Sequence, residues 1–452
     1  MPAVRHDTLK KLKRYQIQVF IITYFAYICT HIQREFWAMS KEHIKTQLGF
    51  EDNQLSNFDF AQLLMYSISV FSLGVIGDTL NKKILLTSLY LSCAILYCLQ
   101  GLGGSLAIKQ EWYYYMVFIL VGFSTSLIFP SFVAILGEWF PKKRRGAIIG
   151  LWATCINIGN IIGVQLASGL LKIFGEDNWQ GLMYTVGALM LIFAIIFVFL
   201  LQPDPEQLGL SIDENQELEI KQQGYLKVEN QAQYLLQNKT LETNQIKDGK
   251  KLNFFTAWLV PRVFLYSATL FCAKLAVYSM LLQLPSFLKQ ELNYSDQQRA
   301  NVSTCFDSGA IFGSIILGYL SDKIYSKRSP VTFLGIICAS AISFTITYTY
   351  QNLFIGIYFM IFLLGFFISG LCNMINASVA ADLGKQPSLS NNPKALCTVA
   401  SVVDGSGALG SAIGSLIIGA TKKQFGWRDG FWLVISIDIL FAIVPLQQLN
   451  YM

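Results

Sequence analysis

Apolar runs of membrane-crossing length, separated by short polar knots, recur along the whole chain and constrain its fold more than any other feature. A helix needs about 20 residues to cross a hydrocarbon core roughly 30 Å thick, and most of these runs reach that length. Composition agrees: 53% of the 452 residues are apolar and only 14% are charged, where a soluble chain carries about a quarter. The pattern predicts an all-α membrane protein of twelve transmembrane helices. The predicted spans are 16–47, 57–77, 84–104, 112–138, 146–173 and 179–201, then 257–289, 298–320, 331–350, 352–378, 393–420 and 428–447. Between the two sets lies a stretch rich in Glu, Gln, Asn and Lys, with too little apolar content to fold alone. The organisation expected is a six-helix bundle at 1–201, a linker at 202–252 and a second six-helix bundle at 253–452.

Several function classes find no support in the residues. The net charge of +6 is modest and does not imply a nucleic acid partner, and the nine cysteines sit in or beside apolar runs with no CxxC pair. Such cysteines read as small packing residues, not as a disulfide framework or metal site. A phosphate loop, a nucleophile elbow and a metal-spaced His cluster are all missing from a chain with three histidines. No enzyme, cofactor or metal is expected, and no obligate protein partner is evident. The basic residues through Arg14 lead into a full-length helix, so a cleavable signal peptide is not expected.

Orientation follows from the basic residues. The N-terminal Arg5, Lys10, Lys11, Lys13 and Arg14, then Lys82 and Lys83, the run Lys142 to Arg145, and Lys323, Lys327 and Arg328 fall on one side. The positive-inside rule places that side, with both termini and the linker, in the cytoplasm. The pair Lys422 and Lys423 before the twelfth span is a local exception.

Two features repeat between the halves at nearly one spacing. Gly74-Val-Ile-Gly-Asp78 followed by Lys82 and Lys83 returns 244 residues later as Gly318-Tyr-Leu-Ser-Asp322 followed by Lys327 and Arg328. Gly159-Asn-Ile-Ile-Gly163 returns 251 residues later as Gly410-Ser-Ala-Ile-Gly414. Duplicated halves with a solute site between them near mid-depth are a common transporter plan. Asp78 and Asp322 are either gating acids that pair with a facing helix end or ordinary solvated acids. The glycine stripes read as close-packing faces that slide during movement and do not bind solute.

Charges inside apolar runs carry the chemistry. Lys274 sits mid-span, too deep to snorkel easily, where an uncompensated charge costs about 2.5–3.5 kcal/mol on insertion scales. It should face a wet cavity or a partner. Arg34, with His31 one turn earlier, lies in the first span and by itself is equally an interfacial residue or a ligand. Lys274 follows Arg34 by 240 residues, one turn short of the repeat offset, so the two cations project from equivalent helices. Such a pair suits an anion held across the pseudo-twofold axis, Arg through its fork and Lys as a point charge. Asp307 and Asp404 are the balancing acids, which pair with Lys274, relay a proton or take a sugar hydroxyl; an interhelical salt bridge is the structural alternative. Asp59 reads as an interfacial acid starting the second span, and Trp152 and Asn157 either line a pocket or pack.

At these residues the chain resembles the sugar-phosphate exchangers of solute carrier family 37, a branch of the organophosphate:phosphate antiporters within the major facilitator superfamily. The gating segments Gly74 to Asp78 and Gly318 to Asp322 match the superfamily signature. His31-Ile-Gln-Arg34 with Lys41, Phe58-Asp59-Phe-Ala with Tyr66, Ala273-Lys274-Leu275 with Tyr278, and Ala381-Asp382-Leu383-Gly384 through Asp404-Gly405 match the branch. The resemblance implies a facilitator fold that exchanges a phosphorylated sugar or related organophosphate for inorganic phosphate, usually in the endoplasmic reticulum membrane. Arg34 and Lys274 would hold the phosphate, with His31 and Tyr278 of the same motifs beside them; Asn157, taken from its place in the fifth span and not from the resemblance, is a further candidate. Ile156 and Val70 depart from bacterial relatives, which carry His and Lys there. Two other readings stay open: a carrier of another organic anion such as a carboxylate, and a non-transporting membrane sensor or subunit.

Overall fold

The computed structural model describes residues 2–175, 178–210, 258–323, 328–352, 356–376 and 395–445, and every regular element among them is helical. In hydrocarbon each backbone N–H and C=O must be satisfied within the protein, which a helix does by itself. The first half comprises α1 (Pro2–Leu48), α2 (Asp52–Thr79), α3 (Lys82–Ser105), α4 (Glu111–Ser126), α5 (Ile128–Trp139), α6 (Lys142–Ala153), α7 (Cys155–Phe174) and α8 (Gln180–Leu200). Breaks of one residue, Leu127 and Thr154, join α4 to α5 and α6 to α7, so six spans result. Pro130 explains the first break, because it cannot donate to the carbonyl one turn before it. The second half comprises α9 (Val263–Gln290), α10 (Asp296–Lys323), α11 (Arg328–Thr349), α12 (Gly356–Leu364), α13 (Gly370–Met374), α14 (Ala395–Trp427) and α15 (Leu433–Phe441). A π-turn at Gly365–Ser369 links α12 to α13 in the tenth span, and another at Arg428–Trp432 leads into α15. Gly426, at φ 72°, breaks the backbone inside α14, so the twelfth span starts at Trp427.

Eight spans are long and apolar enough to cross a membrane by length and composition alone. The first and second are not among them, and both carry internal charges, Arg34, Glu35 and Lys41 in α1 and Asp59 in α2. Large apolar side chains such as Ile84, Trp112, Phe199, Ile315 and Phe441 are exposed around the outside, where lipid covers them. Inside are two hydrophobic cores, one drawn from residues 12–210 and one from 260–443; Leu282 and Ala300 of the second half join the first.

Two boundaries differ from the expectation. α1 begins at Pro2, well before the predicted start at 16, because its Lys- and Leu-rich opening favours helix and continues the span into water. Gly49, at φ 76°, ends it with a bond from its N–H to the Lys45 carbonyl. The linker's opening residues also belong to the first half: Leu210 is buried in that core, and Trp139 Nε1 donates to the Gln202 carbonyl at 2.8 Å. The rest of the linker, 211–252, lies outside the described residues, as does the segment from Ala381 to Lys394.

The glycine stripes pack inside each half and are not sliding surfaces between halves. A Cβ on Gly159 would stand 2.8 Å from His31 Cβ, and one on Gly163 2.8 Å from Glu35 Cβ, so α7 clamps the face of α1 that precedes and follows Arg34. Gly410 and Gly414 do the same against Phe271 and Leu275 of α9, flanking Lys274. The repeat therefore fixes the two cation-bearing helices, each in its own bundle.

Candidate functional site

Arg34 projects from α1 toward the other half. Its guanidinium carbon lies 5.1 Å from the centre of the Tyr278 ring of α9, close enough for a cation–π contact. One terminal nitrogen donates to Asn160 Oδ1 of α7 at 2.5 Å, and Nε reaches Glu35 Oε1 at 3.3 Å. Its side chain keeps 13% of its surface exposed, whereas Glu35 keeps 1%. Arg34 is thus held by an amide, a ring and one long ion pair, with part of its fork still open.

That open part faces a cavity of about 100 Å³. Its wall comes from Tyr27, Thr30, His31, Arg34 and Trp37 of α1, Asp59, Gln62 and Tyr66 of α2, Thr125 and Ile128 of the fourth span, and Tyr278 and Leu282 of α9. His31 Nδ1 is buried there without a partner, and its ring stands edge-on to Tyr27 at 4.8 Å. Of the residues expected at the site, Arg34, His31 and Tyr278 line the cavity together. Lys274, one turn before Tyr278, does not line it; its Nζ donates to Asp404 Oδ1 of α14 at 2.5 Å, and Asn376 donates to the same oxygen at 2.9 Å. Asn157 is buried on α7 but does not line the cavity; Asn160, one turn on, makes the contact. Asp307 of α10 accepts from Asn160 Nδ2 at 2.7 Å. Asp78 and Asp322 fall on described helix, but their side chains lie outside the described residues.

Asp59 is not interfacial. α2 starts at Asp52, which puts Asp59 two turns in and 2% exposed. Its carboxylate accepts from Lys41 Nζ at 2.5 Å and from Trp37 Nε1 at 2.7 Å. Lys41 also donates to the Leu282 carbonyl of α9 at 3.0 Å, so this buried ion pair ties one half to the other.

Further polar contacts between the halves cluster at the end where α1, α7 and α9 finish. Lys422 lies 3.5 Å from Asp52, donates to Gln283 at 3.0 Å and sits 4.4 Å from the Trp427 ring centre. Gln283 donates to Ser56 at 3.1 Å, Gln290 to Glu42 at 2.8 Å, and Gln165 to Thr304 at 2.8 Å. Lys422 is one of the two residues that break the basic-residue pattern, and burial in this network accounts for it; Lys423, the other, is exposed and pairs with Glu51 at 2.7 Å. Replacing Lys422 by Met removes one charged partner worth about 1.5–3 kcal/mol and should loosen this end roughly tenfold or more. The readout is labelling of a cysteine placed at the buried Ser56 by a membrane-impermeant maleimide; an unchanged rate means that the network does not hold the end shut.

Comparison with known proteins places this architecture. Residues 20–391 match the family described as Major Facilitator Superfamily. The chain belongs to that superfamily. It is a multi-pass integral membrane transporter by that membership. Similar full-length proteins include Sugar phosphate exchanger 3 of Homo sapiens, 28% identical over 98% of this chain and 94% of that protein. The Gallus gallus protein of the same name is 30% identical, over 96% and 92%. A protein of Arabidopsis thaliana provisionally named glycerol-3-phosphate transporter 5 is 31% identical, over 96% and 91%. Among solved structures, a bacterial homolog of the human lysosomal transporter Spinster, inward-facing and unoccupied, superposes with a TM-score of 0.71 at 14% identity, covering 96% of each chain. At that identity the likeness speaks for the facilitator fold alone.

Proposed function

We propose that this facilitator exchanges a phosphorylated sugar or related organophosphate for inorganic phosphate by alternating access, with residues 1–201 rocking against 253–452. In this reading both termini face the cytoplasm and the membrane is that of the endoplasmic reticulum. The observation that carries it is Arg34: a cation on a cavity wall between the halves, stacked on a ring of the opposite half and only partly neutralised. The names of the relatives, sugar phosphate exchangers and a glycerol-3-phosphate transporter, support the cargo class. Closing the halves over Arg34 without an anion buries a poorly compensated charge, which is costly. A phosphate or phosphate ester removes that penalty, so loaded crossings are the fast ones.

A second reading, net movement without exchange, is favoured by one contact. Lys274 already holds a carboxylate, Asp404, so that part of the site needs no external anion to close. Counterflow in proteoliposomes separates the two. Under obligate exchange, uptake of labelled phosphate stops when the far side holds no anion; undiminished uptake there excludes obligate exchange. Inorganic phosphate should also protect the purified protein from heat, by about 2.7 kcal/mol at a hundred times its dissociation constant. A protein that neither counterflows nor responds to phosphate is not an organophosphate carrier.

A further inference from the structure

We propose that Asp307 carries a proton through the transport cycle, so that net uptake of an organophosphate is driven by a proton gradient. The inference rests on the organophosphate reading and adds an energy source to it. Asp307 sits on α10, 1% exposed, at the seam where α10 meets α7 of the other half. Its Oδ1 accepts from Asn160, and its Oδ2 is buried with no hydrogen-bond partner.

The other buried acids differ from Asp307 in partner or in place. Asp59 has Lys41 and Trp37, Asp404 has Lys274 and Asn376, and Glu35 has Arg34. Asp438 of α15 also has a buried Oδ2 without a hydrogen-bond partner, but it faces Cys272 of α9, inside the second half, and not the seam. Among the described residues no cation lies within ion-pair distance of Asp307. A buried carboxylate without a cation is strongly disfavoured, while a neutral carboxyl is tolerated. Among the described residues, the charged groups that bear on Asp307 are Glu35 and Arg34, both on α1. α9 turns Tyr278 toward Arg34 and keeps Lys274 on Asp404, and the tenth span presents Phe362, Gly365 and Phe366 to α10.

Asn160 makes the coupling. Its Oδ1 accepts from Arg34 and its Nδ2 donates to Asp307, so one amide joins the cargo cation to the acid across the seam. When a phosphate group occupies Arg34, the cation has its counter-ion and Asp307 crosses as the neutral acid. For an unloaded return, Arg34 keeps only its long contact to Glu35, at 3.3 Å, and needs a further anion. Asp307 releases its proton to water on the side where the seam opens, its O–H bond breaking and hydronium forming, and the carboxylate then balances Arg34 through Asn160. Exchange, with both crossings loaded, moves no net proton and does not need this step.

The test uses the full chain in proteoliposomes and labelled glycerol 3-phosphate, with the pH kept well above the second ionisation of such esters near about 6, so that their own charge hardly changes. With no internal phosphate and an acid exterior, one pH unit should drive up to about tenfold accumulation, and reversing the gradient should reverse the net flux. Asp307→Asn, which fixes the neutral shape, should lose this accumulation yet retain counterflow at equal pH. Wild-type net flux blind to the gradient overturns the proposal even if the variant does not fold. So does a variant that accumulates as the wild type does. Absence of wild-type counterflow sinks the organophosphate reading instead, which keeps the two failures apart.

Discussion

Replacing Arg34 by Gln should lower phosphate counterflow about a hundredfold or more. A charge-assisted hydrogen bond is worth about 1.5–3 kcal/mol, and each 1.4 kcal/mol is tenfold, so losing a two-pronged contact to a phosphate reaches that range. The Gln amide can still bond Asn160 but supplies no charge to the cavity and no cation over Tyr278. It also strands Glu35, which is 1% exposed, so a loss of flux by itself could reflect damage to the fold. Arg34→Lys resolves this. It keeps the positive charge beside Glu35 and loses only the planar fork, and flux should fall about tenfold, as one charge-assisted bond implies. A Gln variant whose counterflow stays within about twofold of wild type, on the same count of bonds, removes Arg34 from the site and leaves the cavity without its anion ligand.

Bilayer thickness explains why so much of the fold was legible. Apart from the start of α1, the apolar runs place the described span ends within about two turns, because an interrupted run cannot stay in hydrocarbon. What hydropathy could not see were ends that stay helical in water, as at Pro2, and polar contacts made over long sequence distance. Lys422 looked like a topology signal, yet its partners Asp52 and Gln283 come from other spans. Asp59 looked interfacial for the same reason: Lys41 lies 18 residues before it and one helix away, and no periodicity links them. Asn157 and Asn160 lie one turn apart on α7, and the sequence does not tell which of them Arg34 meets; in the structure it is Asn160, while Asn157 stays off the cavity wall. Glu35 gave no signal beyond being an acid beside Arg34 in an apolar helix. Arg34 and Lys274 stand on the first span of each half, each flanked by a glycine stripe, but a shared backbone position says nothing about counter-ions. Arg34 took an amide and a ring, while Lys274 took an acid 130 residues away.

That acid sets the decisive experiment on Lys274. Lys274→Gln leaves Asp404 with Asn376 as its one described partner. Breaking a buried pair costs about 3–5 kcal/mol, and somewhat less here because 16% of the Asp404 side chain is exposed. The single variant should therefore lose both transport and several degrees of thermal stability, an outcome that a purely structural salt bridge also gives. The double variant Lys274→Gln with Asp404→Asn separates them. Two neutral amides can hydrogen-bond each other and Asn376, so most of the stability should return. If the pair only holds α9 to α14, counterflow returns with it. If Lys274 donates to the cargo after releasing Asp404, the refolded double variant stays about a hundredfold down, by the same measure of charge-assisted contacts. The second result is expected, because Lys274 stands one turn before Tyr278, whose ring lies under Arg34. Recovery of flux in the double variant would assign the site to Arg34 and its cavity alone.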